Sequence, residues 1–331
     1  MSDLKIGVIG GGSWATAIVK ILCNNTSTVS WWLRNSEDRD HLRKFHHNPK
    51  YLTSVEFKPD RINLVNSPEE IILNCDLIIL AVPSAFCHNV LGSLSHEFFN
   101  NKLVFSAIKG IIPQYNLIVG EYLYQHYKIP YENIGVITGP CHAEEVAMEK
   151  LSYLTLACLN IANAEKLSDA MRCRYIKVTT SDDIYGTEYS AVLKNVVSIA
   201  GGVCHGLGYG DNFLSVLVSN AIQEIERFVT TVHPINRDIK ASAYLGDLLV
   251  TAYSQFSRNR MFGTMIGKGY SVKMAQLEMN MIAEGYYAVK CIHEINRNLK
   301  VDMPITEAVY NILYERISPA IEIKLLCDKL S

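Results

Sequence analysis

One stretch near the start of the chain, GVIGGGSWATAIVKIL (Gly7–Leu22), restricts the fold more than any other. An apolar run leads into three consecutive glycines, and a helical pattern begins at once. Gly10, Gly12 and Ala15 stand in G-x-G-x-x-A spacing, and a dinucleotide-binding fold has a separate use for each position. The first glycine permits a tight turn after a strand, the second lets a pyrophosphate approach the backbone, and a small third residue lets helix and strand pack closely. The helix opening there offers N–H groups and partial positive charge to phosphates. A Gly-rich surface turn would share the glycines but not the strand before them and the helix after. The spacing therefore predicts a bound dinucleotide.

The rest of the first half follows the same logic. Runs rich in Val, Ile and Leu at Lys5–Ile9, Val29–Leu33, Asp76–Val82, Leu103–Ile108 and Ile134–Thr138 are separated by stretches long enough for helices. That alternation predicts an α/β fold, a doubly wound and mainly parallel sheet of Rossmann type. After RYIKVTTSDD (Arg174–Asp183) long helical patterns take over. A length of 331 residues suits two domains. We place the boundary at 185, with 1–185 an NAD(P)-binding domain and 186–331 an all-helical, all-α domain for substrate and catalysis.

Several function classes are disfavoured. A net charge of −2 gives no basic field for nucleic acid or an anionic membrane. The longest uncharged stretch, Asn195–Gly210, contains five glycines, so we expect no membrane insertion. Nine cysteines without a C-x-x-C pair, and a start that enters a strand rather than a cleavable signal, predict a reduced, cytoplasmic protein. The histidines of HLRKFHH (His41–His47) lack the spacing of a helical ligand pair, and we expect no metal site. The sequence admits a homodimer without indicating one.

The second strand bears on the cofactor. An NAD site usually places an acidic side chain there for the ribose hydroxyls, whereas the first polar residues after this strand are Arg34 and Asn35. Arginine suits a 2′-phosphate, which favours NADPH while admitting NADH.

Three solitary charges carry the chemistry. Lys109 is the only charged residue between Lys102 and Glu121, Lys194 the only one between Glu188 and Asp211, and Asp247 the only one between Lys240 and Arg258. Charges are seldom buried without partners, and desolvation moves a lysine toward the range where it exchanges a proton. Any one of them could reach solvent from a helix edge; three in such apolar surroundings are harder to explain that way. Asp247 and Thr251 are four apart and share a helical face, so both could meet Lys194 or a substrate. SRNR (Ser257–Arg260) reads either as a basic loop or as a phosphate receptor formed by Ser257, Arg258 and Asn259. TGPCHAEEVA places Gly139, Cys141 and Ala143 at the C-terminal rim of the sheet, where α/β ligands bind. Cys141 has no evident base beside it, so packing explains it better than nucleophilic chemistry.

Taken in order, GGGSWATA, WLR, NPKYL, AVPSAF, IKG, GPCHAEEVA, LKNVVSIAGG, GLGYGDN, LGDLLVT, SRNR.FG and AEG resemble the bacterial-type NAD(P)-dependent glycerol-3-phosphate dehydrogenases over nearly the whole chain. The resemblance implies reversible reduction of dihydroxyacetone phosphate to sn-glycerol 3-phosphate, a phospholipid precursor, with Lys194 as general acid/base. It also implies that Lys109 touches substrate and nicotinamide, that Asp247 and Thr251 lie beside Lys194, and that Ser257, Arg258 and Asn259 bind substrate. Ser13, Trp14, Arg34, Lys109, Ala143, Arg258, Ile282 and Glu284 fall at cofactor contacts, and Gly139 and Cys141 at substrate contacts. Ala15 stands where the family usually has glycine, and Cys141 where it has serine or threonine; a thiol is a poor hydrogen-bonding substitute. The rival readings are another two-domain NAD(P)-dependent 2-hydroxy-compound dehydrogenase and a non-catalytic nucleotide sensor. The sensor is expected to lack one of the solitary charges.

Overall fold

The computed structural model describes residues 4–279 and 282–331. The chain forms two compact units, Met1–Ile108 with Val119–Ile184, and Lys109–Ile118 with Tyr185–Ser331. Where the sequence leads to a single cut at 185, the second unit thus also takes in ten residues from the middle of the first half.

The first unit is built on eight strands: β1 (Ile6–Ile9), β2 (Val29–Trp32), β3 (Ile62–Leu64), β4 (Leu77–Leu80), β5 (Leu103–Ser106), β8 (Ile134–Thr138), β9 (Ser152–Cys158) and β10 (Ile176–Ser181). Their order is β3-β2-β1-β4-β5-β8-β9-β10, parallel throughout except for the β8–β9 pair. All five runs expected to be strands are strands; Ile134–Thr138 keeps its full length, and the other four are one or more residues shorter. The order 3-2-1-4-5 brings the chain reversal of a dinucleotide fold between β1 and β4, where Ile6 lies opposite both Val29 and Leu77. β1 is buried along its whole length, as a strand covered on both faces must be. The helix Ser13–Leu22 follows it, and Ile18, Ile21 and Leu22 are fully buried in the apolar core of this unit.

Helices make up most of the second unit, and its one sheet is a short hairpin of β6 (Ile111–Ile112) and β7 (Leu117–Ile118) among the described residues. Ile111 and Ile118 are buried in the same core as Val196, Ile199, Val203, Leu217 and Phe228, which is why the hairpin groups with the helices. The backbone of this core is the helix Ile184–Gly206, 23 residues long. Two of its glycines meet two glycines of the helix Arg258–Gly267: a Cβ on Gly202 would strike the Arg260 carbonyl, and one on Gly206 would lie 2.5 Å from the Thr264 carbonyl. In return, Cβ atoms on Gly263 and Gly267 would strike the carbonyls of Ile199 and Val203. Only glycine lets the two backbones approach this closely, and that approach fixes where the SRNR segment sits. Among the described residues no helix is long and apolar enough to cross a membrane.

Candidate functional site

Lys194, Ser198, Gly202 and Gly206 recur every fourth residue and so form one stripe along the helix Ile184–Gly206. Glycines at its lower end seat the helix Arg258–Gly267, and the polar residues at its upper end meet what that seating delivers. Ser198 Oγ lies 2.7 Å from Ser257 Oγ and donates to the Thr251 carbonyl at 3.1 Å. Ser257 in turn caps its own helix, its hydroxyl accepting from the Arg260 N–H at 3.3 Å.

The three solitary charges come together in this unit. Lys194 Nζ pairs with Asp247 Oδ1, and Lys109 Nζ lies 3.3 Å from Asp247 Oδ2. Asp247 opens the helix Asp247–Tyr253 directly after a π-helical turn, Ser242–Gly246, a local irregularity of the kind that often marks functional positions. The side chains of Asp247 and Lys194 are 1% and 5% exposed, whereas that of Lys109 retains 19%. Lys109 is therefore the cation that reaches outward. Asn195, next to Lys194, donates to the Lys109 carbonyl at 2.7 Å and holds that residue's backbone in place.

Buried ion pairs are poor sources of stability, because desolvation offsets most of the attraction. Here two cations share one carboxylate, and the buried ammonium of Lys194 carries a large desolvation cost. Proton loss relieves that cost, and the more deeply buried lysine yields. Burial, reinforced by the Lys109 ammonium and only partly opposed by Asp247, pushes Lys194 down to about 7. For Asp247 burial alone would raise the carboxyl, but the ammonium groups of Lys109 and Lys194 outweigh it and hold the group below the usual carboxylate range. The cluster thus pairs a fixed carboxylate with a lysine that exchanges its proton near neutrality, the arrangement expected of a general acid/base.

The remaining candidates of this unit are more loosely tied. Thr251 is buried, but its hydroxyl donates to the Asp247 carbonyl at 2.7 Å rather than to Lys194. Asn259 is buried and accepts at Oδ1 from the Gly285 N–H at 2.9 Å, which leaves its Nδ2 to donate. That bond joins the Arg258 helix to the start of the helix Glu284–Leu299, beside Ile282 and Glu284, both half-buried. Arg258, the first residue of its helix, is also half-buried.

Cofactor candidates lie in the first unit. Gly10 adopts φ +144°, and a Cβ there would strike the Ala81 carbonyl, so its turn requires glycine. Gly12 differs: its φ of −80° suits any residue, and a Cβ on it would meet nothing within 4 Å. Its small size leaves open space above the backbone. Gly12 is also the N-cap of the helix Ser13–Leu22, which has no side-chain cap and no acidic residue in its first turn. A helix start without a side-chain cap, with open space at Gly12, fits a pyrophosphate. Ser13 is buried and Trp14 half-buried at this helix start, and Ala15 packs at 0% exposure, the close contact the small residue allows.

Arg34 is exposed, with its guanidinium 5.5 Å from the ring centre of Phe86 in the AVPSAF segment, a contact that sequence spacing does not indicate. Asn35 is occupied as the N-cap of the helix Ser36–Phe45, accepting from Glu37 N–H at 2.8 Å. Gly139 has φ +109° and packs against the Tyr153 carbonyl, so any ligand contact there is through backbone. Cys141 and Ala143 are buried in the apolar core of this unit, and Cys141 is a free thiol.

Comparison with known proteins agrees in both units. The NAD-dependent glycerol-3-phosphate dehydrogenase N-terminus family matches residues 5–164 and the corresponding C-terminus family residues 183–324. A glycerol-3-phosphate dehydrogenase [NAD(P)+] of Oceanobacillus iheyensis is 32% identical over 325 residues, covering 98% of this chain and 94% of the relative. Its counterpart from an Exiguobacterium species is 34% identical over 323 residues, covering 97% and 94%. Among solved structures, the glycerol-3-phosphate dehydrogenase of Coxiella burnetii superposes with a TM-score of 0.91 at 26% identity, covering 98% of this chain and 99% of that one.

Proposed function

The chain belongs to the NAD-dependent glycerol-3-phosphate dehydrogenase family, and on that premise we propose that it interconverts dihydroxyacetone phosphate and sn-glycerol 3-phosphate with NADPH or NADH. The observation that carries this reading is the buried Lys109–Asp247–Lys194 cluster, with a lysine held near neutrality. In the reductive direction the Lys194 ammonium donates its proton to the alkoxide developing on the carbonyl oxygen, and in the oxidative direction the neutral amine removes it. Lys109, the outer cation, stabilises that oxygen's charge, while Asp247 fixes both ammonium groups. A bound dihydronicotinamide supplies the hydride. Arg258, Ser257 and the Asn259 amide serve the substrate phosphate, with Gly139 and Cys141 as further contacts. Gly10, Gly12, Ser13, Trp14, Arg34 and Ala143 serve the cofactor, together with Lys109, Arg258, Ile282 and Glu284. Residues 1–185 and 186–331 divide these tasks, with Lys109 contributed to the catalytic set from the hairpin segment. The nine cysteines, all free thiols, suit work in the cytoplasm, where the product enters phospholipid synthesis. We leave a homodimer as the assembly to be tested by sedimentation.

The direct test mixes pure protein with NADPH and dihydroxyacetone phosphate and follows loss of nicotinamide absorbance. Oxidation of NADPH that depends on this substrate is the expected result; turnover only with a different 2-oxo compound would move the chain to the rival dehydrogenase class, and none at all to the sensor. Arg258→Ala is expected to raise KM for dihydroxyacetone phosphate by about 10-fold or more, the worth of one charge-assisted phosphate contact. An unchanged KM would send the phosphate elsewhere.

Cofactor preference has its own test. Arg34 meets a 2′-phosphate only if the ligand has one, and its exposure puts the contact at the weak end of the range. Arg34→Ala should therefore weaken NADPH binding by about 10-fold and NADH binding by much less. Equal losses in fluorescence titrations of both cofactors would show that Arg34 supports the loop or the adenine instead.

A further inference from the structure

We propose that Asn48, in the NPKYL segment, is a positioning residue that sets the glycine turn for the cofactor's pyrophosphate. The inference rests on the reading that this turn holds the dinucleotide.

Asn48 is 1% exposed, yet it comes from a loop more than thirty residues beyond the turn. Its side chain is fully engaged. Nδ2 donates to the Gly11 carbonyl at 3.1 Å and to Thr16 Oγ1 at 2.9 Å, while Oδ1 accepts from the N–H groups of Lys50 at 3.0 Å and Tyr51 at 3.1 Å. Thr16 passes the restraint on, donating from Oγ1 at 2.9 Å and from its backbone N–H at 3.0 Å to the Gly12 carbonyl. The acceptor half of the amide therefore folds its own loop, and the donor half grips the turn.

The consequence follows from peptide geometry. In a planar trans peptide the C=O of one residue and the N–H of the next point in opposite directions, and the described chain has no cis bond. Drawing the Gly11 carbonyl toward Asn48 turns the Gly12 N–H away from it. Holding the Gly12 carbonyl down the helix likewise turns the Ser13 N–H outward from the helix start. The Gly12 N–H has no acceptor among the described residues, and the space above Gly12 is open. Without the Asn48 grip, a Gly-Gly peptide is free to rotate, and a phosphate would have to order it on binding. Asn48 and Thr16 together remove that cost before the cofactor arrives.

Two near-isosteric variants separate this role from plain folding. Asn48→Asp keeps the acceptor for Lys50 and Tyr51 but loses both donated bonds; Thr16→Val removes the relay without adding charge. The binding of ADP-ribose, NADPH and NADH is measured by calorimetry on the full chain, well below the melting temperature of each variant, alongside kcat at saturating NADPH. Asn48→Asp is expected to raise Kd about 10-fold or more for all three ligands, which share the pyrophosphate, and Thr16→Val about 3- to 10-fold. In both, kcat at saturating cofactor stays within about threefold and KM for NADPH rises with Kd, a split that general loosening of the fold does not produce. Wild-type Kd values in either folded variant, or a fall in kcat with Kd unchanged, would overturn the assignment. A wild-type chain that binds none of the three ligands would instead refute the cofactor reading, and the inference with it.

Discussion

Lys194→Met is expected to lower kcat for dihydroxyacetone phosphate reduction by about 10²- to 10⁴-fold, the usual contribution of a positioned proton donor. Methionine has nearly the length of lysine and is apolar, so it suits a side chain that is only 5% exposed. Asp247 keeps Lys109 as a partner at 3.3 Å and is not stranded as an unpaired buried charge, which would otherwise be strongly destabilising. The loss should therefore appear in turnover. Binding of NADPH, read by fluorescence titration, should change by less than about threefold, because the glycine turn and Arg34 belong to the other unit. The decisive measurement is kcat beside a melting curve. A variant that melts like the parent and turns over within tenfold of it would remove Lys194 from proton transfer.

What made these residues legible in the sequence was their isolation. A lysine or aspartate that is the only charge in about twenty residues needs a reason, and Lys109, Lys194 and Asp247 all proved to share one cluster. The amides and hydroxyls that organise the cluster and the glycine turn gave no comparable signal. Asn195, Ser198 and Asn48 act on backbone carbonyls and hydroxyls brought close by the fold, up to 86 positions away for Asn195, and nothing in one sequence marks such a partner. The sheet shows the same division. Runs that became its central strands are continuously apolar because both faces are covered, so they stood out. β3 and β10 sit at the two edges; one is three residues long, and the other alternates buried Ile176 and Val178 with exposed Lys177 and Thr179, so neither forms an apolar run. β9 is largely buried but mixes Ser152, Tyr153 and Thr155 into its run, and it escaped the same search. Membership of the hairpin 109–118 in the helical unit was not legible either, because sequence order says nothing of which core Ile111 and Ile118 will enter.

Asp247→Asn tests whether the cluster works by charge or only by shape. Asparagine has the same outline and can still accept a hydrogen bond, so the lysines keep a partner of the right size. What disappears is the one negative charge shared by two cations. In the parent that charge raises the proton affinity of Lys194, while burial and Lys109 lower it. Its removal leaves only the lowering influences, so Lys194 becomes neutral at a pH where the parent is about half protonated. Reduction needs the protonated lysine, and its kcat/KM falls as pH rises through the Lys194 titration. In the variant that falling limb should move to lower pH by at least about one unit, a tenfold loss at fixed pH above the midpoint. Less certain placement of both ammonium groups adds to this, for a total near 10²-fold at pH 7.5. The measurement is kcat/KM for dihydroxyacetone phosphate from pH 5.5 to 9 at saturating cofactor, with melting curves at each pH. Partial recovery on acidification identifies the charge as the active element. A variant equally impaired at every pH would mean that Asp247 only places the lysines, and one with the parent's rate throughout would mean that the ammonium groups are held by something other than this carboxylate.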